Sequence, residues 1–160
     1  ALVWTNNIAN PSLILPGQVL VIPGSGRVVP GTPGGQKRIV VDLSEQHLYG
    51  YEGDVLVYSF VTSTGKPGSG TRTGTFSVLS KFPNAYASTW DLRMPYFMGI
   101  YWAGSLQNGI HALPILSNGQ TLWAGYLGTP VSFGCIILST ENARTLYHWA
   151  PIGTPVWIHY

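Results

Sequence analysis

Residues 38–62 read RIVVDLSEQHLYGYEGDVLVYSFVT. Three runs rich in β-branched and aromatic residues occupy 38–43, 47–51 and 55–62. Ser44-Glu45-Gln46 and Gly53-Asp54 separate them. Branched and aromatic side chains suit a pleated, half-buried surface, and short polar or Gly-containing breaks turn the chain. The stretch therefore predicts a three-strand meander with two tight turns. Beyond it, 63–74 (STGKPGSGTRTG) has no bulky apolar side chain and is predicted to be a long surface loop. Thr75–Leu79 is predicted as a strand. Residues 80–109 are aromatic-rich, with Pro83, Pro95, Gly99, Gly104 and Gly109 as breakers, and are expected to be irregular. Ile110–Leu113 forms a short strand ending at Pro114, and Val131–Leu138 a strand-like run interrupted by Gly134. One helix is expected from Glu141 through Trp149. Ser139-Thr140 caps it, Glu141 lies in its first turn, and Pro151 and Gly153 end it. Pro155–Tyr160 is a terminal strand. The expected fold is mostly β, a sandwich or barrel with one short helix near the C-terminus.

Composition narrows the function. The chain has 160 residues and only 9% charged side chains, against roughly a quarter in an average domain. Eight Lys/Arg and six Asp/Glu leave a net charge of +2. The basic residues are scattered, with only Lys37-Arg38 adjacent, so nothing resembles a stripe that could neutralise a row of phosphates. Nucleic acid is not an expected partner. One cysteine makes no internal disulfide and no thiolate metal site, and the four histidines show no metal-ligand spacing with carboxylates. Neither a metal nor a cofactor is expected. No apolar run reaches the roughly 18–20 residues of a transmembrane helix. Gly and Pro crowd 24–36 (GSGRVVPGTPGGQ), which is expected to link a short segment, 1–23, to a main domain at 37–160. The start at Ala1, without an initiator Met, is expected to mark a processed or trimmed piece.

The sharp chemical feature is Ser132-Phe133-Gly134-Cys135. A strand cysteine is most often a small buried hydrophobe. Here the preceding glycine lets backbone approach a ligand, and Ser132 adds a hydroxyl. A thiol of ordinary pKa is only a few per cent ionised at pH 7, so a nucleophilic cysteine needs a base beside it. Among His47, His111, His148 and His159, only His111 sits between chain breakers, in Gly109-Ile110-His111-Ala112-Leu113-Pro114. It is the candidate base, with a satisfied core histidine as the alternative. A base of ordinary pKa would give an activity limb near neutrality.

From about Lys37 to Tyr160 the ordered set of segments resembles the YkuD-type L,D-transpeptidase catalytic domain. The set comprises 39–65 with its Ser-Thr-Gly turn, Arg72-Thr73-Gly74-Thr75-Phe76, Met94-Pro95-Tyr96-Phe97, Gly109-Ile110-His111 and Ser132-Phe133-Gly134-Cys135. Three positions depart from the family pattern. Arg72 stands for a Pro, Phe133 for a His, and Ile137 for an Arg or Asn. The resemblance implies a β-sandwich and acyl transfer on peptidoglycan stem peptides. Cys135 would be the nucleophile, His111 the base, the Ala112 carbonyl its orienting partner, and backbone amides around Gly134 the oxyanion site. Ser132, Phe133, Tyr96, Phe97, Met98 and Trp102 are the expected substrate-binding wall. Residues 1–23 resemble the second half of a LysM module; a half-module lacks one side of the groove, so glycan is implied as a partner only through a complete LysM upstream. The implied location is extracytoplasmic, secreted or cell-wall associated. A hydrolytic L,D-carboxypeptidase using the same pair, and a catalytically weakened cell-wall binding module, are the alternative functions.

Overall fold

A computed structural model describes residues 35–160. The LysM-like expectation for 1–23, and all of the 24–36 linker except its last two residues, lie outside the described residues. The meander forms as expected: β1 (Lys37–Asp42), β2 (His47–Glu52) and β3 (Val55–Val61) pair antiparallel. β10 (Pro155–His159) joins β1 in parallel, and β4 (Gly74–Ser77) pairs with the far side of β10. These strands make one sheet in the order β3-β2-β1-β10-β4.

The second sheet corrects the sequence reading. Residues 80–109, expected to be irregular, form most of it: β5 (Ser80–Ala87), β6 (Leu92–Ala103) and β7 (Leu106–Ala112). The prolines fit because of where they fall. Pro83 is on β5, an edge strand of this sheet. Pro95 is on β6 between its ladder to β8 (Ile115–Leu116), which ends at Arg93, and its ladder to β7, which begins at Met98. On that flank no ladder asks residue 95 for a donor. The Val131–Leu138 run is likewise shorter than expected, for only β9 (Ile136–Leu138) is strand. It pairs in parallel with β7, and ahead of it Ser132 makes an isolated bridge with Gly65 and the chain bends at 133–134.

One core lies between the sheets. Ile39, Val41, Val156 and Ile158 enter it from the first sheet, and Met98, Ile110, Ile136 and Leu138 from the second. Burying each such side chain contributes roughly 1.5–3 kcal/mol. Helix α1 (Thr140–Trp149) adds Ala143 and Leu146 to the same core. It starts one turn-residue earlier than predicted, at Thr140, because Ser139 alone is the cap: its hydroxyl accepts from Asn142 N at 3.2 Å. Its last carbonyls are met by two ammonium groups. Lys37 Nζ donates to Trp149 O at 2.9 Å, and Lys81 Nζ donates to Tyr147 O and, at 2.7 Å, to Ala150 O. Among the described residues no helix is long and apolar enough to cross a membrane.

Candidate active site

Strand parity builds the site. On β7, Ile110 and Ala112 point into the core, so His111 points out through the opposite face. On β9, Ile136 and Leu138 point into the core, and Ile137 and the preceding Cys135 share the other face. The parallel register sets His111 against Ile137. Cys135 is two residues further back, level with Gly109, and belongs to the same face as His111. Both line one cavity of about 590 Å3.

The imidazole is oriented by backbone. His111 Nδ1 lies 2.6 Å from Ala112 O, as expected. A carbonyl only accepts, so Nδ1 carries the proton and Nε2 keeps its lone pair in the neutral ring. No buried side-chain nitrogen or oxygen lacks a partner among the described residues. Nε2, which has no protein partner, therefore faces the open cavity. Burial pushes the His111 pKa down to about 4, against the raising effect of the Ala112 carbonyl. Burial pushes the half-buried Cys135 thiol up to about 11, and a backbone hydrogen bond from Gly109 only partly offsets this. The resting pair is neutral: a thiol beside a base with a free lone pair. With the imidazole held this low, a limb set by His111 would lie well to the acid side of the one expected near neutrality.

The segment before Cys135 is tightly bonded. Ser132 Oγ donates to Cys135 O at 2.5 Å and accepts from Gly134 N at 3.2 Å. The Gly134 amide, expected in the oxyanion site, is thus turned back onto Ser132. The Gly134 carbonyl accepts from Thr71 Oγ1 at 2.9 Å and from Tyr101 OH at 3.2 Å. In a planar trans peptide the next N–H points opposite to the carbonyl. These two hydroxyls therefore aim the Cys135 N–H away from Thr71 and Tyr101. Gly134 has φ 114°, and a Cβ there would lie 2.6 Å from Asn108 Nδ2, so only glycine fits.

The loop expected on the surface is partly buried and holds this turn. Ser63 and Ile137 exchange backbone hydrogen bonds of 2.9 and 2.7 Å. Thr64 O accepts from Val131 N and Ser132 N, and Lys66 N donates to Ser132 O. Thr62, Ser63, Thr64 and Thr71 are buried, their hydroxyls bonded to protein groups. The loop's small polar side chains are there to fit a crowded backbone, which composition alone does not reveal.

The expected wall divides. Phe97 lies over His111, ring centroids 6.0 Å apart, and Trp102 lines the cavity with Ser132 and Phe133. Tyr96 and Met98 do not line it. Met98 is fully buried in the core, and Tyr96, at φ 57°, packs on Tyr147 and His148 of α1. They flank Phe97 on β6, and strand alternation sends them to the other face. Trp90 stacks on Phe133 at 5.9 Å, and Trp123 packs beside it at 6.5 Å. No lining residue is Asp, Glu, Lys or Arg. Thr71, Tyr101, Asn108, Trp90 and Trp123 are the members that sequence reasoning missed. No metal-ligating cluster of His, Cys, Asp and Glu occurs among the described residues.

A thiol, a base with a free lone pair and an aimed backbone amide on one cavity can perform acyl transfer. Residues 36–158 match the family model of YkuD, the L,D-transpeptidase catalytic domain. The chain belongs to this family. The matched residues begin at 36 and lend no support to a LysM module at 1–23. No curated protein gives a significant match. Among solved structures, an L,D-transpeptidase from Mycobacterium smegmatis is similar at 23% identity and TM-score 0.68, over 79% of this chain and 60% of that one. An L,D-transpeptidase from Mycobacterium tuberculosis is similar at 26% and TM-score 0.66, over 79% of this chain and 59% of that one. L,D-transpeptidase 3 of the same species, in complex with a faropenem-derived adduct, is similar at 24% and TM-score 0.64, over 79% of this chain and 61% of that one. The chain thus spans about 60% of the length of these structures.

Proposed function

We propose that this protein is an L,D-transpeptidase that acts on peptidoglycan stem peptides outside the cytoplasm, with Cys135 as nucleophile and His111 as base. The observation that carries the reading is the shared face of Cys135 and His111, with Nδ1 bonded to Ala112 O and Nε2 left free. His111 Nε2 takes the thiol proton as sulfur attacks the carbonyl of the donor peptide. The Cys135 N–H stabilises the oxyanion. As the tetrahedral adduct collapses, the C–N bond breaks, and the leaving amine takes the proton back from His111. A thioester remains on Cys135. A side-chain amine of a second stem peptide then displaces sulfur, losing a proton that returns the thiol through His111.

The cavity lining favours an amine over water as acceptor. Phe97, Trp102, Phe133 and the stacked Trp90 line the cavity with rings that offer water few partners. Intact-mass measurement after exposure to faropenem tests the nucleophile. A single adduct on the wild type, absent in Cys135→Ala, is expected; no adduct, or one that persists in Cys135→Ala, overturns the reading. A tetrapeptide donor given with and without an amine acceptor then separates transfer from hydrolysis.

A further inference from the structure

The sulfur of Cys135 has one polar side-chain partner within hydrogen-bond reach, and it is not His111. Sγ lies 3.5 Å from Asn108 Oδ1. The motif around the thiol is otherwise apolar, since Phe133 and Ile137 flank it. Asn108 is held where it lies. Its Nδ2 donates to Tyr101 OH at 3.2 Å, and it packs so close to Gly134 that a Cβ there would collide with Nδ2. Tyr101 OH is itself fixed, accepting from Arg72 N at 3.2 Å and donating to Gly134 O at 3.2 Å. A proline at 72 would lack that N–H.

We propose that Asn108 is a catalytic residue whose amide holds sulfur in both protonation states: Oδ1 accepts from the thiol, and Nδ2 donates to the thiolate after the amide turns over. This rests on Cys135 being the nucleophile. The two ends of a carboxamide have nearly the same shape, so turning it exchanges a donor for an acceptor at sulfur without displacing neighbours. Tyr101 OH can follow the exchange. A hydroxyl both donates and accepts, so it can swing from Gly134 O to the incoming Oδ1, and Thr71 Oγ1 keeps Gly134 O satisfied at 2.9 Å. In an uncharged cavity a thiolate is costly, and the amide adds a side-chain donor to the Gly109 N–H already bonded to sulfur as the proton leaves for His111. The titratable groups around sulfur are His111 on β7, Tyr101 on β6 and Lys66, whose Nζ lies 4.5 Å from the Phe133 ring centroid. No carboxylate lines the cavity.

The test is the pH dependence of Cys135 alkylation by iodoacetamide, which reads the thiolate without any peptidoglycan substrate. Asn108→Leu removes both hydrogen-bonding ends at similar volume. Asn108→Asp keeps an acceptor for the thiol but opposes the thiolate. Both variants are expected to shift the alkylation midpoint upward, Asp further than Leu, with Leu at about one pH unit, a roughly tenfold lower rate at fixed pH. An unchanged or lowered midpoint in Asn108→Asp, the closest in shape, overturns the inference even if Asn108→Leu fails to fold. Failure of the faropenem adduct on wild type would instead sink the proposed function, and the alkylation shift would still stand or fall by itself.

Discussion

A histidine buried on every side but one is a weak base that is almost always ready. With its pKa near 4, His111 is neutral across the neutral range and gains a proton only in acid. The base works in its neutral form, so acylation is lost as pH falls through about 4 and is not lost near 6.5. The thiol stays protonated up to about 11, so no alkaline limb intervenes before then. Faropenem acylation rates measured from pH 3.5 to 10 are expected to show a plateau above about 5 with one acid limb. A limb between 6 and 7 would mean that the imidazole is solvated, contrary to its burial. His111 was legible in sequence because a glycine and a proline bracket it. Its depressed pKa was not, because burial is made by residues distant in the chain, Phe97 above all.

The elements show why strand parity succeeded and inventory failed. Once β7 and β9 are strands side by side, alternation alone delivers His111 and Cys135 to one face. Parity cannot find Asn108, Tyr101 or Thr71. Asn108 and Tyr101 meet where the β6–β7 register slips and β6 carries an extra residue, Ile100, between Gly99 and Tyr101. A slip of this kind leaves no sign in residue types. Thr71 sits in a glycine-rich stretch that looks solvated, yet its hydroxyl accepts from Gly65 N at 2.9 Å and pins the Gly134 carbonyl. Thr71→Val keeps the shape and removes the pin. The expected result is a roughly tenfold slower acylation, part of the 100-fold or more that losing an oxyanion donor costs, with the alkylation midpoint of Cys135 unmoved. Equal losses in both measurements would point to a general disturbance of the turn instead.

Across the whole molecule, the helix C-terminus is where the two sheets are tied together. Lys37 comes from β1 in one sheet and Lys81 from β5 in the other, and both ammonium groups converge on the last carbonyls of α1. Lys81 also lies over the Tyr147 ring, 4.3 Å from its centroid. Burial lowers the Lys81 pKa, with the nearby Lys37 charge adding to it. The charge-assisted bonds still outweigh this cost at neutral pH, because the helix end offers partial negative charge. Lys81→Met is expected to cost about 1–3 kcal/mol in urea unfolding, while faropenem acylation of the folded protein stays within twofold of wild type. A large loss of acylation in folded Lys81→Met would show that the tie also sets the site.

The turn that carries Cys135 is gripped largely by main chain: Ser63, Thr64 and Lys66 meet Val131, Ser132 and Ile137 through peptide groups. Peptide groups are the same whatever side chain they bear. Positions whose side chains make none of the site's bonds can therefore change while the main-chain grip stays the same; Gly134, Thr71 and Ser132 are held by their own geometry. That tolerance accounts for a chain that keeps its relatives' shape at TM-scores of 0.64–0.68 while sharing only 23–26% of their residues. Phe133 and Ile137 sit on that main-chain grip, so their apolar side chains shape the mouth of the cavity without being needed to hold the sulfur in place.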